Sequence, residues 1–256
     1  MTLDAVTVDA LADRLDISQR TAADTLSLAD SHPIDIDDAY RIQNSVISRR
    51  LGRGESLVGV KLGFTSRAKM AQMGVSEIIV GCLTDSMRVE DGGVVNLSNL
   101  IHPKIEPEVA YRLARDFDPH DPIAEIESCV DAVAPAMEII DSRYRDFRFT
   151  YTDVVADNTS AAAFVIGPWQ PMRDIDNCAV RLEAGGTTVT GSTSAILGNP
   201  VRALHALVEM ARRRSIPLRA GQVILAGAAT AAVKLTVGVA QTQIAGLGRV
   251  SVRGTR

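Results

Sequence analysis

The chain has 256 residues, 46% of them apolar, and a formal net charge of −4. That supports a sizeable core in one large domain, or one domain with a small appendage. The acidic balance, with no basic cluster interleaved with aromatics, speaks against nucleic acid as a partner, and no apolar run approaches the ~20 residues of a membrane helix.

Residues 1–55 read as a small helical segment. Met1-Thr2-Leu3-Asp4 carries no basic-then-apolar leader pattern, so a cytoplasmic protein is expected. Val8, Leu11, Ala12 and Leu15 make one apolar face at helical spacing. A second helix is expected after Asp37 as N-cap, with Ala39, Ile42 and Val46 inward, Arg49 and Arg50 at its negative end, and Gly52 as stop. From Ser56 the texture changes to short Gly-, Val- and Ile-rich runs: Ser56–Leu62, Val80–Leu83, Gly93–Asn96, Glu108–Leu113 and Ala134–Ile140. One later helix is marked by Asn199 as cap, Pro200 in its first turn, and a Val201, Leu204, Val208 stripe. Arg212, Arg213 and Arg214 close that helix and read as helix-end charges rather than a binding patch. His205 reads as packing on its apolar face. Strands return at Gln222–Ala226, Val233–Val239 and Arg249–Arg253. Cys82, Cys129 and Cys178 are odd in number and widely spaced, which predicts buried free thiols and no disulfide framework. The expected fold class is α+β: helical residues 1–55, then a β-rich domain over 56–256 whose mixed sheet folds as a sandwich or roll.

Nucleotide-binding glycine loops, a serine-hydrolase elbow and a His-Glu-x-x-His zinc motif are all absent. The chemistry concentrates in His102-Pro103-Lys104-Ile105-Glu106-Pro107-Glu108. In an extended segment Glu106 and Glu108 project together. A third carboxylate, Glu138, lies inside the apolar run Val133–Ile140, where a charge is costly unless compensated. Two readings stay open on residue types alone: a hard-cation site for Mg²⁺ or Mn²⁺, or a solvated Glu-x-Glu face with Glu138 paired to an arginine. His102 stands at the mouth of this segment as a candidate supporting group. Asp141, two residues before Arg143, reads as half of an internal salt bridge.

Six segments in order make the chain more specific: Gly59–Ser66, Met70–Val75, His102–Ala110, Glu138–Tyr144, Val155–Ser160 and Leu197–Pro200. Together they resemble the hydratase/decarboxylase family of meta-cleavage pathways for aromatic degradation, related to fumarylacetoacetate hydrolase. Lys69–Val75, His102–Glu106 and Ala228–Val233 are similar to the decarboxylase branch in particular. Two departures stand out. Gly191-Ser192-Thr193-Ser194-Ala195 replaces the family's Gly-Ala-Gly-Ala-Ala, and Val237-Gly238-Val239 replaces its Pro-Gly-Asp turn.

The resemblance implies a fumarylacetoacetate hydrolase-type fold and a Mg²⁺ (or Mn²⁺) ion held by Glu106, Glu108 and Glu138. It implies Lys61 as the active-site lysine, adding positive charge where an enolate develops. Ser160 or Asn158 is expected to hydrogen-bond the substrate's near carboxylate. The implied reaction is decarboxylation of 2-oxo-3-hexenedioate to 2-hydroxypenta-2,4-dienoate, with hydration of that dienoate as the alternative. Hydration needs an acid/base pair, for which Asp85 and Asp141 are candidates. A homo-oligomer and a complex with the pathway hydratase are the partners implied.

Overall fold

The computed structural model of the protein describes residues 2–66, 70–71 and 74–256. Lys69, Gln72 and Met73, part of one family-like segment, lie outside the described residues.

Helix α1 spans Ala5–Thr21 and begins at Asp4, whose side chain accepts the Thr7 N–H at 2.7 Å. Val8, Leu11, Ala12 and Leu15 are all buried along it. Full burial of a leucine of this kind is worth about 1.5–3 kcal/mol, so this one face fixes the helix. Helix α2, Ile36–Gly52, is capped by Asp35 rather than Asp37. Asp35 has the extended backbone a cap requires and accepts the Asp38 N–H at 2.8 Å. Asp37 falls in the first turn, where its carboxylate suits the helix dipole and pairs with Arg214. Ala39, Ile42 and Val46 are buried, and the helix ends at Gly52.

The strands follow as β1 Leu57–Gly63, β2 Ile79–Thr84, β3 Arg88–Val89, β4 Val94–Asn96, β5 Lys104–Leu113, β6 Val130–Ile140, β7 Ala161–Ile166 and β8 Gln170–Pro171. After them come β9 Ala179–Ala184, β10 Thr187–Ser192, β11 Val223–Ala228, β12 Val233–Lys234, β13 Gly238–Ile244 and β14 Gly248–Thr255. The short helix α3, Tyr151–Ala156, lies between β6 and β7, and α4, Val201–Arg214, between β10 and β11. The Asn199 side chain accepts the Val201 N–H at 2.9 Å at the start of α4. At its end Arg212, Arg213 and Arg214 pair with Glu209, Glu77 and Asp37.

Two sheets form. The larger runs β2-β1-β11-β5-β6-β7-β3, with β12 beside β5 and β8 beside β6; the smaller runs β10-β9-β13-β14-β4. They pack face to face: Ile105, Met137, Ile139 and Val165 of the larger meet Leu182, Ala184, Ala240, Val250 and Val252 of the smaller. The core formed by α1 and α2 is continuous with Val60, Leu62, Val80 and Val109 of the large sheet. This is the mixed α+β sandwich expected. The boundaries differ, however. β5 begins at Lys104 and β6 at Val130, so both extend beyond their most apolar stretches. The run Val233–Val239 is broken, ending β12 at Lys234 and opening β13 at Gly238. All three cysteines are free, but only Cys129 is fully buried; Cys82 and Cys178 are half-buried.

Candidate metal centre and active site

Strands β5 and β6 run antiparallel with Glu106 opposite Glu138 and Glu108 opposite Ala136. Alternation along β5 sends Glu106 and Glu108 to the same face, and this register brings Glu138 to that face as well. Lys61 of β1 is level with Leu225 of β11, which is opposite Ala110 of β5. Lys61 therefore joins the three glutamates on one side of the sheet, across two strands. One oxygen from each glutamate lies within 4.8 Å of the others, and all three residues are buried. Lys61 is 3% exposed, and its Nζ lies 3.0 Å from Glu138 Oε2 and donates to the Thr159 carbonyl at 3.0 Å.

Glu108 is fully buried. Its Oε2 accepts the Gly227 N–H, while its Oε1 has no hydrogen-bond partner among the described residues. The Gly227 N–H reaches it through a bulge in β11 between Leu225 and Ala228. Gly227 sits at φ +114°, and a Cβ there would lie 1.9 Å from Thr65 Oγ1, so glycine is required on both counts. Burial pushes the Glu108 carboxyl well above the usual carboxylate range, helped by Glu138 and Glu106 and opposed by Lys61 and the Gly227 N–H. A buried carboxylate with one oxygen unsatisfied, in a cluster of three, is a costly arrangement for a protein alone. It is a fitting donor set for a divalent ion that prefers oxygen ligands. Glu106, Glu108 and Glu138 thus fit Mg²⁺ or Mn²⁺.

The other expected residues are distributed differently. The Asp141 carboxylate accepts the N–H groups of Ile101 and His102 at 2.8 and 2.7 Å, anchoring the segment that enters β5. It does not pair with the Arg143 guanidinium. Past the end of β6 the chain turns Arg143 inward, onto the carboxylate and carbonyl of Asp157 and the carbonyls of Asp141 and Ala161. Ser160 Oγ faces Asp157 Oδ2 at 3.5 Å. The Asn158 amide is engaged at both ends by the main chain of Cys82, at 2.8 and 2.9 Å. Asp85 is exposed and caps the N–H groups of Ser56 and Ser86, away from the glutamates. His102 packs its ring 4.5 Å from that of Phe147. His205 is not a packing residue: its side chain is 58% exposed and contacts Glu127. In the departing segment at 191–195, Thr193 is fully buried, donating to the Ile175 carbonyl and accepting the Cys178 N–H.

Sequence reasoning missed Gly227 and the Thr159 carbonyl. Gly227 left one trace, a glycine interrupting the end of an apolar strand. The carbonyl left none, because any residue carries one.

The model of the fumarylacetoacetate hydrolase C-terminal family matches residues 58–253. The chain belongs to the fumarylacetoacetate hydrolase family. Among family members, a 4-oxalocrotonate decarboxylase from a Pseudomonas species is 44% identical over 97% of this chain and 98% of its own length. A 2-keto-4-pentenoate hydratase from Paraburkholderia xenovorans is 38% identical over 87% of this chain and 86% of its own. The solved structure of 4-oxalocrotonate decarboxylase from Pseudomonas putida G7, complexed with magnesium and adipate, superposes with a TM-score of 0.93 at 36% identity, covering 99% of both chains.

Proposed function

We propose that the protein decarboxylates 2-oxo-3-hexenedioate (4-oxalocrotonate) to 2-hydroxypenta-2,4-dienoate, with Mg²⁺ or Mn²⁺ as cofactor, within a meta-cleavage pathway of aromatic degradation. The observation that carries this reading is the buried Glu106, Glu108, Glu138 cluster with Lys61 against it. That cluster lies in a chain similar from end to end to 4-oxalocrotonate decarboxylases. The Pseudomonas putida relative's complex with adipate, itself a dicarboxylate, supports a dicarboxylate substrate.

Loss of the far carboxylate breaks its bond to carbon 5, and CO₂ leaves. The electron pair moves through the 3,4 double bond to the 2-oxo oxygen, and protonation of that oxygen gives the dienol. The barrier is set by negative charge arriving on one oxygen. A divalent ion held by the three glutamates supplies Lewis-acid stabilisation of that charge. Lys61 adds a fixed ammonium beside Glu138, buried where such a charge acts strongly. Gly227 orients Glu108, and Asp141 fixes the backbone that leads into Glu106. Ser160 is the hydroxyl we assign to the near carboxylate. Asn158, the alternative for that task, has its amide engaged by the Cys82 main chain.

The hydratase alternative fits less well. Hydration needs an acid/base pair at the site, but Asp85 lies elsewhere and both Asp141 oxygens already accept N–H groups. The product, however, is the enol form of 2-keto-4-pentenoate, which names the substrate of the hydratase relatives. This product-to-substrate relation supports a complex with a hydratase; the homo-oligomer is proposed from the family resemblance, and the cytoplasmic location from the sequence. No helix among the described residues is long and apolar enough to cross a membrane.

Absorbance assays with Mg²⁺ on 2-oxo-3-hexenedioate and, separately, on 2-hydroxypenta-2,4-dienoate test the reading. Loss of the first with CO₂ release is expected, abolished by EDTA. Consumption of the dienoate alone would make the protein a hydratase. Light scattering, alone and with a hydratase, tests the assembly.

A further inference from the structure

We propose that the turn Asn158–Ser160 is a positioning device for Lys61, seated on Gly81 and clamped from behind by Arg143. The inference rests on the decarboxylase reading for its kinetic consequence, though not for its geometry. Three consecutive residues, Asn158, Thr159 and Ser160, adopt left-handed φ values of +47°, +53° and +60°. Non-glycine residues rarely do so singly, and backbone strain of this kind persists only where its surroundings impose it.

Three sets of contacts impose it here. The Asn158 amide donates to and accepts from the Cys82 main chain on the free edge of β2. Arg143 grips the Asp157 carboxylate and carbonyl immediately before the turn. The Ser160 carbonyl accepts the Asp141 N–H at 2.9 Å immediately after it.

The turn closes over Gly81, the β2 residue directly opposite Lys61. A Cβ on Gly81 would lie 2.3 Å from Thr159 Oγ1 and 2.8 Å from the Asn158 carbonyl. Only a residue without a side chain lets the turn come this close to β1. The result is the Thr159 carbonyl 3.0 Å from Lys61 Nζ, which also lies 3.0 Å from Glu138 Oε2. The Nζ is therefore held by two partners, one of them supplied by the turn. Asn158 and Gly81 are positioning residues that act through Lys61.

Two variants test this, Gly81→Ala, which pushes the turn off β2, and Asn158→Ala, which releases its clamp. Each is made alone and in a Lys61→Ala background. With 2-oxo-3-hexenedioate and Mg²⁺, each single variant is expected to lower kcat at saturating substrate by roughly a hundredfold, as for a catalytic group displaced by about an ångström; kcat is the readout, because Ser160 in the same turn is assigned to the substrate's near carboxylate and its shift acts on KM. In the Lys61→Ala background the same changes should cost less than about twofold, because coupled residues are non-additive. Additive losses, or unchanged kcat in the single variants, would overturn the proposal.

A second readout needs no turnover. The chain has only four lysines, and Lys234 is exposed. Labelling EDTA-treated protein with an amine-reactive reagent and reading peptides by mass spectrometry should show Lys61 protected relative to Lys234. In either variant Lys61 should label roughly tenfold faster, the change expected for one lost charge-assisted hydrogen bond. Unchanged Lys61 labelling in both variants would also overturn the proposal. If Gly81→Ala melts early, Asn158→Ala decides. If the wild type turns over neither substrate, the decarboxylase reading falls while labelling still decides the role of the turn.

Discussion

Glu108 shows how much of the site's chemistry is set by one environment. Burial raises its pKa, with Glu138 and Glu106 adding to the effect, whereas an unfolded glutamate titrates at about 4.3. A carboxyl whose folded value is raised contributes stability that is fully present below the unfolded pKa and is lost as pH rises through the folded value. The metal-free protein should therefore weaken with rising pH. Mg²⁺ needs the ionised carboxylate, so the rise in Tm on adding Mg²⁺ should be larger at about pH 8 than at about pH 5. A scan of Tm with and without Mg²⁺ checks this; an equal gain at both pH values would contradict it. Replacing any one of Glu106, Glu108 or Glu138 by glutamine should leave the fold intact by circular dichroism. The same change should lower kcat by roughly a hundredfold or more, through loss of the ion and its charge stabilisation. Residue types and spacing made this acidic trio legible in the sequence. Of the two readings left open by the residues, the solvated face does not fit the burial of all three side chains; the cation site is our proposal.

At the scale of elements, two local structures hold the site, one leaving a single glycine as its trace in the sequence and the other leaving none. The bulge at Gly227 aims an N–H at Glu108, and alanine there meets both a forbidden φ and the Thr65 side chain. Gly227→Ala should weaken Mg²⁺ binding by about tenfold to a hundredfold by calorimetry, the usual cost of losing a group that orients a ligand. The Arg143–Asp157 pair is buried, with side chains 4% and 1% exposed. Arg143→Ala strands a buried carboxylate and should cost about 3–5 kcal/mol in urea unfolding, far more than removing an exposed pair such as Arg112–Asp131. The pair was missed because Asp141 is nearer in sequence to Arg143 than Asp157 is. Sequence distance ranks partners only while the chain continues straight, and here it leaves β6 and doubles back. Helix faces were readable because i, i+3 and i+4 positions are local. β9 was legible but not read: Val180, Leu182 and Ala184 are buried at every second position and Gly185-Gly186 follows, a hairpin signal, whereas β10 is largely exposed threonine and glycine and carries little apolar pattern.

Across the whole molecule, one long antiparallel pair, β5 with β6, carries all three glutamates, and a parallel pairing of β1 with β11 delivers Lys61. The sandwich buries the opposite face of the same strands against the small sheet, so the register that forms the core also forms the site. A one-residue slip of β6 would turn Glu138 into the apolar layer. That coupling explains why fold class and acidic trio were both readable, while the join between them, a pairing across some thirty residues, was not. The proposed role of an ion in this cluster in the decarboxylation is tested most directly by CO₂ release from 2-oxo-3-hexenedioate as a function of Mg²⁺, set beside calorimetric Mg²⁺ binding in the wild type and in Glu108→Gln. One ion per chain is expected, with half-maximal CO₂ release at the Mg²⁺ concentration that half-fills the site, and loss of both in the variant. Undiminished CO₂ release in EDTA, or in a Glu108→Gln protein that no longer binds Mg²⁺, would contradict it.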